Sequence, residues 1–253
     1  MKSLLNSLII AFSMYSKLPM PKTDWNKENM RYVMCFFPLV GLMIGGAVYL
    51  WSYFAEGIPM SRTFSTVIFI LIPLLITGGI HMDGFIDTTD ALSSYQPQDK
   101  KLEILKDPHT GAFALISCVG YYLLAFGIWY DVTPSAIIIL AVGFILSRAF
   151  SGLSVVTFPL AKSSGLATMF SNEARRKVTR IVMIVYIFVC TTFILFINWK
   201  LGLICFISAF CVFIYYRKMS LKKFGGITGD LAGYFLQICE LVMAIAVIIA
   251  DKV

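Results

Sequence analysis

Charge is scarce in this sequence. Only 14% of its 253 residues are Asp, Glu, Lys or Arg, against about a quarter in a soluble domain, while 58% are hydrophobic and the mean hydropathy is +0.82. This excludes a water-soluble globule and fits a polytopic membrane protein. Paired cysteines are missing too. Cys35, Cys118, Cys190, Cys205, Cys211 and Cys239 all fall inside apolar runs with no CxxC, so they suit neither a zinc site nor a disulfide framework and read as small core residues. No internal repeat, low-complexity tract or separating linker is present, which predicts a single integral-membrane domain over residues 1–253.

Seven apolar segments stand out, at 33–54, 63–80, 112–130, 134–157, 179–198, 201–216 and 231–250. Most match the roughly 20 residues that a helix needs to cross a bilayer. The expected fold is therefore an all-α polytopic bundle of about seven transmembrane helices. Residues 3–15 put Leu4, Leu5, Leu8, Ile9 and Phe12 on one helical face and Ser3, Asn6 and Ser7 opposite. They are too few to span and lead into Ser-Lys-Leu-Pro-Met-Pro, with no small-x-small cleavage site. An N-terminal interfacial helix is the reading, not a signal peptide.

With the N-terminus cytoplasmic, 17 of the 21 Lys and Arg residues fall on inner segments, and only Arg62, Lys200 and Lys252 on outer ones. The positive-inside rule favours this orientation, and Trp51, Trp129 and Trp199 then lie at outer helix ends as an aromatic belt. The same loops account for the net charge of +7, so no nucleic-acid partner is expected.

The centre of the chemistry is Gly78 to Asp90, GGIHMDGFIDTTD. Asp83, Asp87 and Asp90 stand at i, i+4 and i+7, one face of a helix. Converging carboxylates repel one another in their ionised state and call for a cation. Carboxylate oxygens suit Mg²⁺, which commonly bridges protein carboxylates and substrate phosphates. His81, two residues before Asp83, points elsewhere on a helix and is the weaker ligand candidate.

Further polar residues gather on the same side. KLEILKDPHTGAF places Asp107 and His109 just before the third span, with Pro108 holding Asp107 out of the helical region. KKFGGITGDLAGYFLQICE offers Lys222, Lys223 and the glycines Gly225, Gly226 and Gly229 before Asp230 opens the last helix, a pattern able to hold phosphate through backbone N–H groups. Gly229 and Gly233 also suit close packing, as do Gly41 and Gly45 in the first span. Lys162 and Ser163–Gly165 are further phosphate candidates, and Arg175, Arg176 and Lys177 suit topology and lipid headgroups. Asp230, Gly233, Gln237 and Glu240 form a polar stripe. Arg148 and Glu240 each lie about nine residues from the inner end of their helices, roughly 13 Å deep. Intramembrane charges at one depth predict proximity, either as an ion pair or on the wall of a substrate cavity.

Together these stretches resemble the cobalamin synthase family, the adenosylcobinamide-GDP ribazoletransferases. The matching segments are FSMYSKLPMP, FFPLVGLMIGG, HMDGFIDTTDAL, KLEILKDPHTGAF and FGGITGDLAGYFLQICE, in family order over almost the whole chain. Lys17 departs from the Arg that many relatives carry before Leu-Pro, which bears on any bidentate contact there. The resemblance implies a multi-pass enzyme of the bacterial or archaeal cytoplasmic (inner) membrane, with its active site on the cytoplasmic side. It implies joining of adenosylcobinamide-GDP to α-ribazole or its 5′-phosphate, release of GMP and a requirement for Mg²⁺, completing the nucleotide loop of adenosylcobalamin or its phosphate.

In such a phosphoryl transfer the ribose hydroxyl, expected to be the 3′, attacks the phosphorus on the cobinamide arm. Asp83, Asp87 and Asp90 are the metal candidates. Asp107 and Asp230 complete the site or orient the hydroxyl, and the general base is Asp90 or His109. Arg148, Lys162, Lys222, Lys223, Gly226, Gly229 and Glu240 are substrate-binding candidates. Membrane lipid surrounds the protein, and self-association or a complex with other enzymes of the pathway stays open. Two rival classes are weaker. The CDP-alcohol phosphotransferase run DGxxARxxxxxxxxGxxxD is missing, because Asp87 arrives too early after Asp83–Gly84 and no Ala-Arg follows. A transporter rests only on Glu240 and Arg148, without the repeats that transporters tend to show.

Overall fold

The computed structural model describes residues 2–161 and 175–253. Among them are eleven helices: α1 (Lys2–Tyr15), α2 (Lys27–Met30), α3 (Val33–Gly57), α4 (Arg62–Thr77), α5 (Ile80–Ser93), α6 (Gln98–Ile104), α7 (Ala112–Tyr130), α8 (Pro134–Thr157), α9 (Arg176–Ile197), α10 (Trp199–Phe224) and α11 (Gly229–Lys252). No strand forms among the described residues beyond an isolated parallel bridge between Leu160 and Ile227. Six helices (α3, α7, α8, α9, α10 and α11) are long and apolar enough to cross a membrane, and α4 with α5 makes a seventh span if the bent pair is counted as one. The all-α bundle expected from composition is present.

The long helices alternate in direction. One end of the bundle collects the starts of α3, α7, α9 and α11 and the ends of α4, α8 and α10. Arg175 N donates to Arg31 O there at 3.2 Å, and Lys17 N to Ile76 O at 2.7 Å. At the far end Arg62 donates to Tyr130 O, and Lys252 pairs with Asp131.

The central helix is α8, buried along most of its length. It packs tightly on α3 because Gly41 and Gly45 have no side chain: a Cβ at either would collide with the backbone of Phe144 or Ala141. Close packing is thus the role that the first glycine pair plays.

Two expectations change. The second apolar segment does not run to residue 80. Its helix stops at Thr77, Gly78 and Gly79 adopt φ of +64° and +82°, and α5 leaves at 94° to α4. Two consecutive left-handed residues make this corner, which non-glycine residues resist. The sixth segment is not short: α10 has 26 residues and continues through Arg217, Lys218, Lys222 and Lys223 to a left-handed Gly225 cap. Besides these, α1 docks by a mixed face, with Ser7, Ile10 and Ala11 buried. Ser7 donates to Asn29 O at 2.6 Å and Asn6 to the Asn29 side chain at 3.1 Å, while Leu4 and Leu5 stay exposed.

Candidate active site

The corner at Gly78–Gly79 lays α5 across the start of α11. The crossing is close because both helices present glycine. A Cβ on Gly84 would fall 2.6 Å from Asp230 O, and one on Gly233 would fall 3.0 Å from His81 O. The first turn of α11 is capped by Thr228, whose hydroxyl accepts from Leu231 N at 3.2 Å. Asp230 follows on that turn, where the positive end of the helix dipole favours a carboxylate.

This packing brings four carboxylates together: Asp83, Asp87 and Asp90 from α5 and Asp230 from α11. Their mutual field is visible at Asp87. Burial raises its carboxyl most, followed by repulsion from Asp83, Asp230 and Asp90, and the group is pushed up to about 6. Asp83 is exposed, and Asp87 and Asp90 are partly covered.

Asp90 has a further partner. Its Oδ2 accepts from Gly111 N at 3.2 Å, and a Cβ at Gly111 would collide with the carboxylate. Asp90 thereby fastens the start of α7 to the aspartate helix. Asp107 and His109 lie earlier in the same loop and pair with each other: Asp107 Oδ1 accepts from His109 N at 2.9 Å and lies 2.7 Å from His109 Nδ1. These bonds hold the Asp107 carboxyl below its usual range. Both side chains are open to solvent.

A cavity of about 260 Å³ opens beside the cluster, bordered by Asp83, Asp230 and Gly229. No atom outside the local chain fills the space beside Gly229. His81 also borders this cavity. It is 4% exposed and its Nε2 has no hydrogen-bond partner. Ile80, His81 and Asp83 all line the cavity, with His81 buried on its wall and Asp83 exposed.

Other candidates are placed differently. The N–H groups of Gly225, Gly226 and Ile227 donate to Leu221 O, Ser220 O and Pro159 O, so Gly226 offers no free N–H to a phosphate. Lys222 and Lys223 are exposed on the last turn of α10, within a helix and not a loop. Arg148 is spent in the bundle: its Nη1 donates to Glu240 Oε1 at 2.5 Å, Phe144 O at 2.9 Å and Ser147 Oγ at 3.1 Å. Of the two arrangements expected for the pair, it forms the ion pair. Arg148 is 1% exposed and does not reach outward for a phosphate, whereas Glu240 borders a small buried cavity with Gln237 and Tyr121. Lys162 and Ser163–Gly165 lie outside the described residues.

The donor set fits a hard divalent cation. Among the described residues no three Asp, Glu, His or Cys groups stand close enough to form a ready cage. Mg²⁺ needs none, since one or two carboxylates with substrate phosphates and waters hold it.

The model of the family described as cobalamin-5-phosphate synthase matches residues 7–248. An adenosylcobinamide-GDP ribazoletransferase of Lachnoclostridium phytofermentans is 46% identical, over 98% of this chain and 95% of its own. Proteins of the same name from Clostridium botulinum strain Alaska E43 and Treponema denticola are 31% and 32% identical, over 96% and 94% of this chain and 96% and 95% of their own. No solved structure matches. With a match that spans nearly every helix and includes the aspartate helix and its partner α11, the chain belongs to the cobalamin-5-phosphate synthase family.

Proposed function

We propose that the chain joins adenosylcobinamide-GDP to α-ribazole or its 5′-phosphate, releasing GMP and forming adenosylcobalamin or its 5′-phosphate. The observation that carries this reading is the approach of Asp83, Asp87 and Asp90 to Asp230 where α5 crosses α11, with Asp87 raised by burial and then by the other three. A ribose hydroxyl attacks the phosphorus on the cobinamide arm. A new P–O bond forms, the phosphoanhydride bond to GMP breaks, and the hydroxyl proton passes to a carboxylate of the cluster.

Asp83 and Asp87 would hold Mg²⁺, which would supply positive charge to the diphosphate. Asp230, beside the open space at Gly229, orients the attacking hydroxyl. The N-terminal turn of α11 favours the phosphate through its N–H groups. Asp90 holds the loop before α7 in place through Gly111. Positioning and charge stabilisation are the main requirements of phosphoryl transfer, and these residues meet both. The basic residues at this end of the bundle support a cytoplasmic site in the inner membrane, with the N-terminus inside.

The test is GMP release and corrinoid product formation by purified protein in detergent or lipid, with adenosylcobinamide-GDP, α-ribazole phosphate and Mg²⁺. Wild type is run beside Asp83→Asn, which keeps the size and removes a ligand charge. The variant is expected to lose about 100-fold or more in turnover, the scale of a lost electrostatic contact at a reacting centre. Unimpaired turnover by Asp83→Asn discards the aspartate centre. No turnover by folded wild type discards the reaction.

A further inference from the structure

The cavity beside the aspartates is larger than catalysis at a diphosphate requires, and much of the rest of its wall is apolar. Met34 and Phe37 of α3, Val155 of α8 and Leu236 of α11 line it, with Tyr15 of α1. Leu236 lies seven residues beyond Gly229 on α11, roughly 10 Å deeper into the bundle. Ser151 of α8 lines it as well, one turn deeper than Val155, so apolar side chains make up much of the wall between the carboxylates and Leu236. On the wall the His81 ring stacks on Tyr15 at 6.1 Å between centres and meets the Phe37 edge at 5.9 Å. Its Nε2 is buried without a partner.

We propose that this cavity seats the heteroaromatic base of the riboside acceptor, with His81 as a positioning residue on its wall. The proposal rests on the reaction given above. At 260 Å³ the space is slightly below the roughly 300–1,000 Å³ of pockets for drug-sized ligands, which suits one flat bicyclic ring and excludes a corrinoid. Guanine fits less well: its edge carries more donors and acceptors than His81, Ser151 and Tyr15 can pair on a wall otherwise built of Met34, Phe37, Val155 and Leu236. A benzimidazole is apolar except for one in-plane nitrogen lone pair. His81, with its proton on Nε2, has the single donor that this lone pair needs. A base held between Val155 and Phe37 places its ribose at the carboxylate end, where the hydroxyl must react.

Steady-state kinetics of the full chain in detergent test this, once wild type has been shown to turn over adenosylcobinamide-GDP with α-ribazole; absence of that turnover counts against the reaction itself. Val155→Phe, which fills the cavity, is expected to raise the acceptor KM by about tenfold or more and to leave the donor KM near wild type. Val155→Ala, which enlarges it, is expected to shift relative kcat/KM toward the riboside of a bulkier base such as naphthimidazole. This arm decides the matter if Val155→Phe does not fold. His81→Phe keeps the ring volume and removes the nitrogen. It is expected to abolish the wild-type preference for a benzimidazole riboside over an indole riboside, which lacks the lone pair. A rise in donor KM with an unchanged acceptor KM, or base preferences that none of the variants moves, overturns the proposal.

Discussion

Gly84 of α5 lies against the main chain of Asp230, with room for a hydrogen and not for a methyl group: a Cβ there would stand 2.6 Å from the Asp230 carbonyl oxygen. The glycine after the first aspartate of the motif is thus what allows carboxylates from two helices to share one site. Gly84→Ala is expected to cost about 1–3 kcal/mol through overpacking. The displacement of Asp83 and Asp87 from Asp230 is expected to lower kcat about 100-fold, the scale of a misplacement near 1 Å. Helical circular dichroism with turnover on the same sample checks this. Near-wild-type kcat in a folded variant would falsify the close crossing.

Asp90 and Gly111 make a second separable claim. Asn at position 90 keeps an acceptor oxygen for the Gly111 N–H, whereas Ala removes it. Asp90→Asn is expected to retain most activity and thermal stability. Asp90→Ala is expected to lose about 1 kcal/mol, as for a lost helix-start acceptor, and to slow turnover as the loop drifts. Equal losses in the two variants point to charge, not tethering, as the function of Asp90.

Asp87 predicts a pH dependence. Its carboxyl titrates at about 6 in the fold, against about 3.9 in an unfolded chain. Between those values the native state keeps a proton that the unfolded state has lost, so this group lowers stability as pH rises from about 4 to about 6, with no further change above. Asp87→Asn removes the slope. In metal-free protein the unfolding midpoint of the variant is expected to gain on wild type across this window. Added Mg²⁺ at neutral pH is expected to raise the wild-type midpoint more than that of the variant. A constant difference at every pH refutes the assignment.

Arg148 and Glu240 are nearly sealed, so each singly removed leaves a buried charge. Arg148→Met or Glu240→Leu alone is expected to cost about 3–5 kcal/mol, and the double variant much less than the sum. The charge-swapped pair is expected to recover part of what either single swap loses. Unfolding in detergent provides the readout, and additive losses argue against the pair.

Much of this was legible in the residues. Apolar length found the long helices, since crossing a bilayer fixes both, and equal depth found Arg148 beside Glu240. The i, i+4, i+7 spacing found the aspartate face. What escaped was set by tertiary geometry. The corner at Gly78–Gly79 sits inside an unbroken apolar run, and only the glycine doublet signalled it. The basic end of α10 resembled a loop because a helix that continues past the membrane loses its apolar signal while keeping its hydrogen bonds. His81, ranked the weaker ligand from its angle on α5, is buried against Tyr15 and Phe37 while Asp83 is exposed, and its place on the cavity wall had no signal in the spacing. The bond from Gly111 to Asp90 joins residues 21 apart, with no pattern between them.

The corner has a consequence for the surrounding lipid. The 16 residues of α4 rise about 24 Å before the chain turns, several ångströms less than the roughly 30 Å hydrocarbon layer. A span of that length would be mismatched along its flank, and local thinning of the bilayer or flanking polar residues reaching outward would meet it at Gly78.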